Sequence, residues 1–297
     1  TAGTYVFVYK ISNFTCSNSD QVIVKNFAAP SSANAGFDQT SICTNSTLMS
    51  ANLPSSGIGN WTLLNGPNIP NIVSPILPNT TINNLIPGIY NFEWSISSGI
   101  CPVKYDTVQL IVNQPPTTAN AGTDKILCNT SSLNLEGNSP LTGTGKWTQF
   151  SGPNTIVFAD STNPNTLISN IVNGTYIFNW TTSLSPCSST DQVIITNYQN
   201  PTTADAGSDI NNCMFTPLSL NANNPTIGTG QWSQLTGPIT TNILSPNAPN
   251  TYILGTIPGN YSYIWTVNNG ICNSSKDTVN VVVSDIPTMA IAGSDQS

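Results

Sequence analysis

Apolar and polar residues alternate with a period of two in several short stretches of this chain. In "YNFEW" Tyr90, Phe92 and Trp94 fall at every second position, so all three point to one face of a strand. Val108, Leu110 and Val112 alternate in the same way, as do Val279, Val281 and Val283. The segments between are rich in Gly, Pro and Asn, and no window sustains a helical period. The pattern predicts an all-β protein with turns at short intervals.

The strand signals recur in step. The glycine of "ANAG", "ANAG", "ADAG" and "AIAG" is Gly36, Gly122, Gly207 and Gly293, at steps of 86, 85 and 86 residues. A first tryptophan, Trp61, Trp147 or Trp232, closes "GIGNW", "GTGKW" or "GTGQW". A second, Trp94, Trp180 or Trp265, closes "YNFEW", "YIFNW" or "YSYIW". Such a register is the mark of a tandem array. About seven strands in each unit point to a two-sheet, immunoglobulin-like sandwich, with the paired tryptophans expected to fill its core from facing sheets. Pro-containing joins set the expected boundaries. These are the end of a truncated repeat at 1–28, full repeats at 29–114, 115–200 and 201–286, and the start of another at 287–297.

Seven cysteines follow the same register. Cys43, Cys128 and Cys213 close the opening motif, and Cys101, Cys187 and Cys272 follow the second tryptophan. Cys16 holds the latter place in the leading partial unit, so its partner is expected upstream. With no CxxC pair and no His, metal binding is disfavoured. The expectation is one disulfide inside each repeat: Cys43–Cys101, Cys128–Cys187 and Cys213–Cys272. Disulfides in turn imply an oxidising, extracellular or cell-surface setting.

Charge removes other classes. Only 6% of the residues are charged, the net charge is −7, and the six basic residues are all scattered lysines, which excludes a phosphate-binding surface for nucleic acid. No apolar run is long enough to span a membrane. Without His or Arg, and with Glu93 and Glu136 as the only glutamates, neither a general base nor a recurring carboxylate pair is present, and no catalytic residue or cofactor is expected. Asp38, Asp124 and Asp209 recur in "AGxD", with Asp295 in the fourth opening. They are the calcium candidates, but one or two carboxylates per unit fall short of the six to eight oxygens that calcium takes. Acceptance of backbone N–H groups within a turn is the preferred reading. Nine aromatics lie outside the core register: Phe14, Phe27, Phe37, Tyr105, Phe150, Phe158, Tyr198, Phe215 and Tyr252. They form no repeated platform for a glycan.

The combination "ANAGxD", "GTGxW" with a following Gly-Pro, "GxYxFxW" and "DxVxV" resembles the polycystic-kidney-disease (PKD) type of immunoglobulin-like domain. It is most similar to the cysteine-containing version in very long surface proteins of gliding bacteria with type IX secretion. The resemblance covers the whole chain. It implies a shaft of a giant adhesin or surface filament, linked to further repeats of the same chain, with glycan or protein binding and self-association into fibres as alternatives. It also brings a short signal for O-glycosylation, matched at Thr107 and Thr278.

Overall fold

The computed structural model of the protein describes every residue except 215, 292 and 294–297, so Phe215 and Asp295 lie outside the described residues. It is all-β, a tandem of immunoglobulin-like sandwiches. The chain begins with a hairpin, Gly3–Asn13 against Cys16–Asn26, in unbroken antiparallel register from Gly3↔Asn26 to Asn13↔Cys16. Three units of one topology follow.

In the first unit a four-stranded sheet runs in the order Gln39–Ile42, Lys104–Val112, Gly88–Ser97, Ile58–Asn65. A three-stranded sheet, Ser46–Leu48, Thr81–Asn83, Asn71–Ile72, faces it. The second and third units repeat both sheets in the same orders. In every unit the short opening strand lies parallel to the last strand: Gln39↔Leu110, Lys125↔Ile195 and Ile210↔Val281 begin the three registers. The last strand in turn runs antiparallel to the one before it, Lys104–Val112 on Gly88–Ser97 and Ser275–Ser284 on Gly259–Asn268. The parallel contact therefore fixes which way the opening segment runs across the sheet.

The alternation read from the sequence becomes burial. Tyr90, Phe92, Trp94 and Ile96 on one strand, and Val108, Leu110 and Val112 on its neighbour, join one apolar core. Tyr261, Tyr263, Trp265 and Val267 with Val279, Val281 and Val283 form its counterpart in the third unit. The tryptophans pair within one sheet: Trp61 lies opposite Trp94, and Trp232 opposite Trp265, on adjacent strands. The expectation of facing sheets is therefore corrected. Two aromatic rings on one face of neighbouring strands meet directly, and here the ring centroids are 5.1, 5.0 and 5.2 Å apart in the three units.

A buried indole needs room and a partner for its N–H. The first tryptophan of each unit donates to a carbonyl, that of Pro78, Pro164 or Pro249. Room for the second comes from glycine: a Cβ on Gly59 or Gly230 would stand 2.1 or 2.0 Å from the Trp94 or Trp265 ring. Trp180 donates to the backbone and side-chain oxygens of Asn138, where Gly137 replaces Ala51 and Ala222 of the other units. The indole nitrogens of Trp94 and Trp265 have no hydrogen-bond partner among the described residues. The strand tyrosines also tie down the preceding turn, since the hydroxyls of Tyr90, Tyr176 and Tyr261 accept the N–H of Ile86, Val172 and Ile257 at 2.8–2.9 Å.

Candidate functional site

The residues that distinguish this chain gather where one repeat meets the next. Contacts divide the chain into two compact units. One comprises Thr1–Ala119, Ser139–Gly145 and Thr181–Thr190; the other comprises Asn120–Asn138, Lys146–Trp180 and Asp191–Ser297. Each contains one disulfide. Cys43 bonds Cys187 in the first, and Cys128 bonds Cys272 in the second, with Cα atoms 5.6 and 5.2 Å apart and a sequence separation of 144 residues in both. Cys16, Cys101 and Cys213 are free thiols.

The bridges thus join consecutive repeats, and the expected pairs Cys43–Cys101, Cys128–Cys187 and Cys213–Cys272 do not form. Direction of the opening strand is the reason. Because Ile42 lies opposite Val112, Cys43 sits at the end of the sheet where the last strand finishes. Cys101 precedes Lys104, where that strand begins opposite Ile96. Eight strand residues separate the two ends, about 26 Å at the usual rise, whereas a disulfide needs Cα atoms within about 7 Å. The cysteine at the far end of one repeat instead meets the hairpin cysteine of the repeat that follows. Cys187 and Cys272 are buried there, at 3% and 8% exposure.

Two aspartates per repeat hold the opening segment in this direction. The Asp38, Asp124 and Asp209 carboxylates accept the N–H of Gln109, Ile194 and Asn280, each at 2.8 Å. In return Asp106, Asp191 and Asp277 on the last strand accept the N–H of Ala35, Ala121 and Ala206 at 2.7–2.8 Å. The "AGxD" aspartate therefore acts across the sheet, some 70 residues away in sequence, and not within its own turn as expected. The turn itself is closed by Asn34, Asn120 and Asp205, which accept the N–H of Gly36, Gly122 and Gly207. Gly36 has φ +87°, and a Cβ there would lie 2.5 Å from the Ser50 carbonyl oxygen, so both backbone angle and space require glycine.

Two aromatics outside the core register serve the joins, which the sequence did not reveal. Phe27 lies against Gly99, where a Cβ would stand 2.3 Å from its ring, and Tyr198 lies against Gly270 in the same way at 2.5 Å. Asn113 and Ser185 hold the corresponding positions in the middle join. The common 85-to-86-residue step of Phe27, Asn113 and Tyr198 was the available signal. Of the other aromatics, Phe158 packs on Phe178, while Phe14, Phe37, Tyr105, Phe150 and Tyr252 are exposed.

Candidate ligand chemistry is sparse. Asp38, Asp124 and Asp209 are exposed, and among the described residues no three His, Cys, Asp or Glu side chains gather as metal ligands. A groove of about 450 Å³ in the third repeat is lined by Asn224, Gln231, Asn247, Asn268 and neighbouring Gly, Thr and Pro residues, without a carboxylate or an aromatic ring. Thr107 is exposed and Thr278 half-buried on the last strands of their sheets. One ion pair is present among the described residues, Lys125–Glu136 at 2.7 Å. Among the described residues two groups titrate away from their ordinary range. Hydrogen bonds from the hydroxyl and N–H of Thr162 hold the Asp160 carboxyl low, and burial raises the Tyr263 phenol against a bond to Thr241. No described helix is long and apolar enough to cross a membrane.

No protein-family model matches the chain, and no curated protein does. Among solved structures, the chain is similar to extracellular domains 3–5 of Drosophila OTK, at 14% identity over 86% of this chain and 97% of that one, with a TM-score of 0.44. Immunoglobulin domains 1–4 of Sidekick-1 match at 13% identity over 95% and 83%, with a TM-score of 0.43. The PKD domain from the KIAA 1837 protein matches at 23% identity over 31% and 93%, with a TM-score of 0.27.

Proposed function

We propose that the chain is a load-bearing shaft segment of a large extracellular, cell-surface protein, and that its role is mechanical and not catalytic. One observation carries this reading: the disulfides join each repeat to the next, so the covalent path under tension bypasses most of the folded chain. A bridge inside a repeat protects that repeat alone, whereas a bridge across a join keeps neighbours together even when one of them unfolds. On the chain-entropy reckoning, closing a loop of this length contributes about 5 kcal/mol. The two disulfides support a setting outside a reducing cytosol. The likeness of its motifs to PKD-type repeats of gliding-bacterial adhesins extends the proposal to the shaft of such an adhesin or filament, secreted by the type IX route. Its partners are then further repeats, with surface glycans and lateral self-association as additional candidates.

Negative-stain electron microscopy of the purified, oxidised chain tests the reading. Slender particles that lengthen by one segment when a copy of 115–200 is inserted are expected. Compact particles whose length does not change on insertion refute it.

A further inference from the structure

We propose that the groove beside the edge strand Thr229–Thr236 of the third repeat is a binding site for a neutral oligosaccharide. The site goes beyond the mechanical role and does not rest on it.

Backbone contacts fix the walls. Thr229–Thr236 is the last strand of its sheet and pairs with Gly259–Asn268. On its other side the Trp232 N–H donates to the Pro246 carbonyl, and the Trp232 indole donates to that of Pro249. Gly228 leads into the strand at φ +89°, where a Cβ would lie 2.2 Å from the Asn268 carbonyl oxygen. The groove has a volume of about 450 Å³, inside the range of about 300–1,000 Å³ that small-ligand sites occupy.

Four amides set its chemistry. Asn224, Gln231, Asn247 and Asn268 line the groove and are exposed, and none of these side chains has a hydrogen-bond partner among the described residues. Their neighbours in sequence are tied down. Asn223 donates to the Thr203 carbonyl and accepts the Asp205 N–H, while Asn269 donates to the Gln199 carbonyl. A free amide offers donors and an acceptor side by side, which suits the adjacent hydroxyls of a sugar, and Thr229 adds a hydroxyl of its own. No charged side chain lines the groove, so an ionic ligand finds no countercharge there. A peptide would find only Pro225 and Pro249 in place of the side-chain pockets that peptide recognition uses.

The first repeat keeps the frame and changes the lining. Trp61 donates its N–H to Pro75 and its indole to Pro78, and a Cβ on Gly57 would lie 2.7 Å from the Ser97 carbonyl oxygen. Yet Leu53, Ile58 and Ile76 stand where the third repeat has Asn224, Thr229 and Asn247, and they are 79%, 68% and 62% exposed. Folding therefore does not require the polar set, which leaves it free for recognition on a rigid scaffold. The sugar site belongs to the third repeat and not to the first.

Saturation-transfer NMR of the whole oxidised chain tests this, with maltohexaose, cellohexaose, xylohexaose and mannohexaose as neutral probes and hexagalacturonate as a charged one. Transfer to at least one neutral sugar is expected, and weaker or no transfer to hexagalacturonate. Asn224→Leu/Thr229→Ile/Asn247→Ile installs the lining that the first repeat already carries on this frame, and titration should show its affinity lowered about tenfold or more through the lost hydrogen bonds. Asn224→Ala/Asn247→Ala, which only shortens exposed side chains, should show a loss in the same direction. No transfer to any of the four neutral sugars, equal affinity in both variants, or tighter binding of hexagalacturonate overturns the proposal. Particle length in the electron microscope reports on the shaft alone, so the two readings fail separately.

Discussion

Removing one inter-repeat bridge should lengthen the unfolded chain very little, and removing both should lengthen it greatly. With Cys43–Cys187 and Cys128–Cys272 intact, the shortest covalent route between the ends uses residues 1–43, 128–187 and 272–297. That is about 129 of the 297 residues, or about 440 Å at about 3.4 Å per residue. In Cys43→Ser the route runs through the remaining bridge and uses about 154 residues, a gain of about 85 Å. Because both loops are the same size, Cys128→Ser gives the same gain. The double variant frees the whole chain and adds about 490 Å more. Pulling the chain by its ends in single-molecule force spectroscopy reads these lengths directly. Bridges closed inside each repeat predict a different series, because losing Cys43–Cys101 alone releases about 57 residues, or about 195 Å. A gain near that larger value for the single variant would refute the bridge assignment, and with it the mechanical reading.

Gly230→Ala sets a Cβ 2.0 Å from the Trp265 ring and should cost about 1–3 kcal/mol by overpacking; Gly255→Ala, with nothing within 4 Å and only a φ of +82° to resist it, should cost about 1 kcal/mol, both read by urea unfolding. Asp277→Ala removes the charged acceptor of the Ala206 N–H and should cost about 2 kcal/mol, with Asp277→Asn recovering part of it in the same assay. Burial raises the Tyr263 phenol, so as pH passes the ordinary tyrosine value of about 10 the unfolded chain loses its proton first and stability falls. Phe stands at this position in the other repeats (Phe92 and Phe178), and Tyr263→Phe should abolish that alkaline loss while costing about 1 kcal/mol at neutral pH, measured by thermal unfolding across pH 8–11. With one ion pair among the described residues, midpoints between about 0.05 and 1 M salt should move by less than the equivalent of about 1 kcal/mol.

Much of this molecule was legible in its sequence because the relevant physics is local. A period of two puts Tyr90, Phe92 and Trp94 on one face whatever they pack against, and burial selects that face. The backbone angle of +87° at Gly36 needs only its own turn to explain it, and an 85-residue recurrence needs no structure at all. The tryptophan positions were legible for the same reason, but not that both lie on one sheet, since that depends on which strands become neighbours.

The cysteine pairing belongs wholly to the tertiary structure. Two cysteines 58 residues apart in one repeat suggest a staple, and nothing local contradicts it. The contradiction comes from strand direction: the opening segment joins the last strand in parallel, and this carries Cys43 to the end of the sheet opposite Cys101. A disulfide is a short-range bond, so the length of a strand forbids the pairing inside the repeat. The neighbouring repeat brings the nearer sulfur, and sequence position does not encode that proximity.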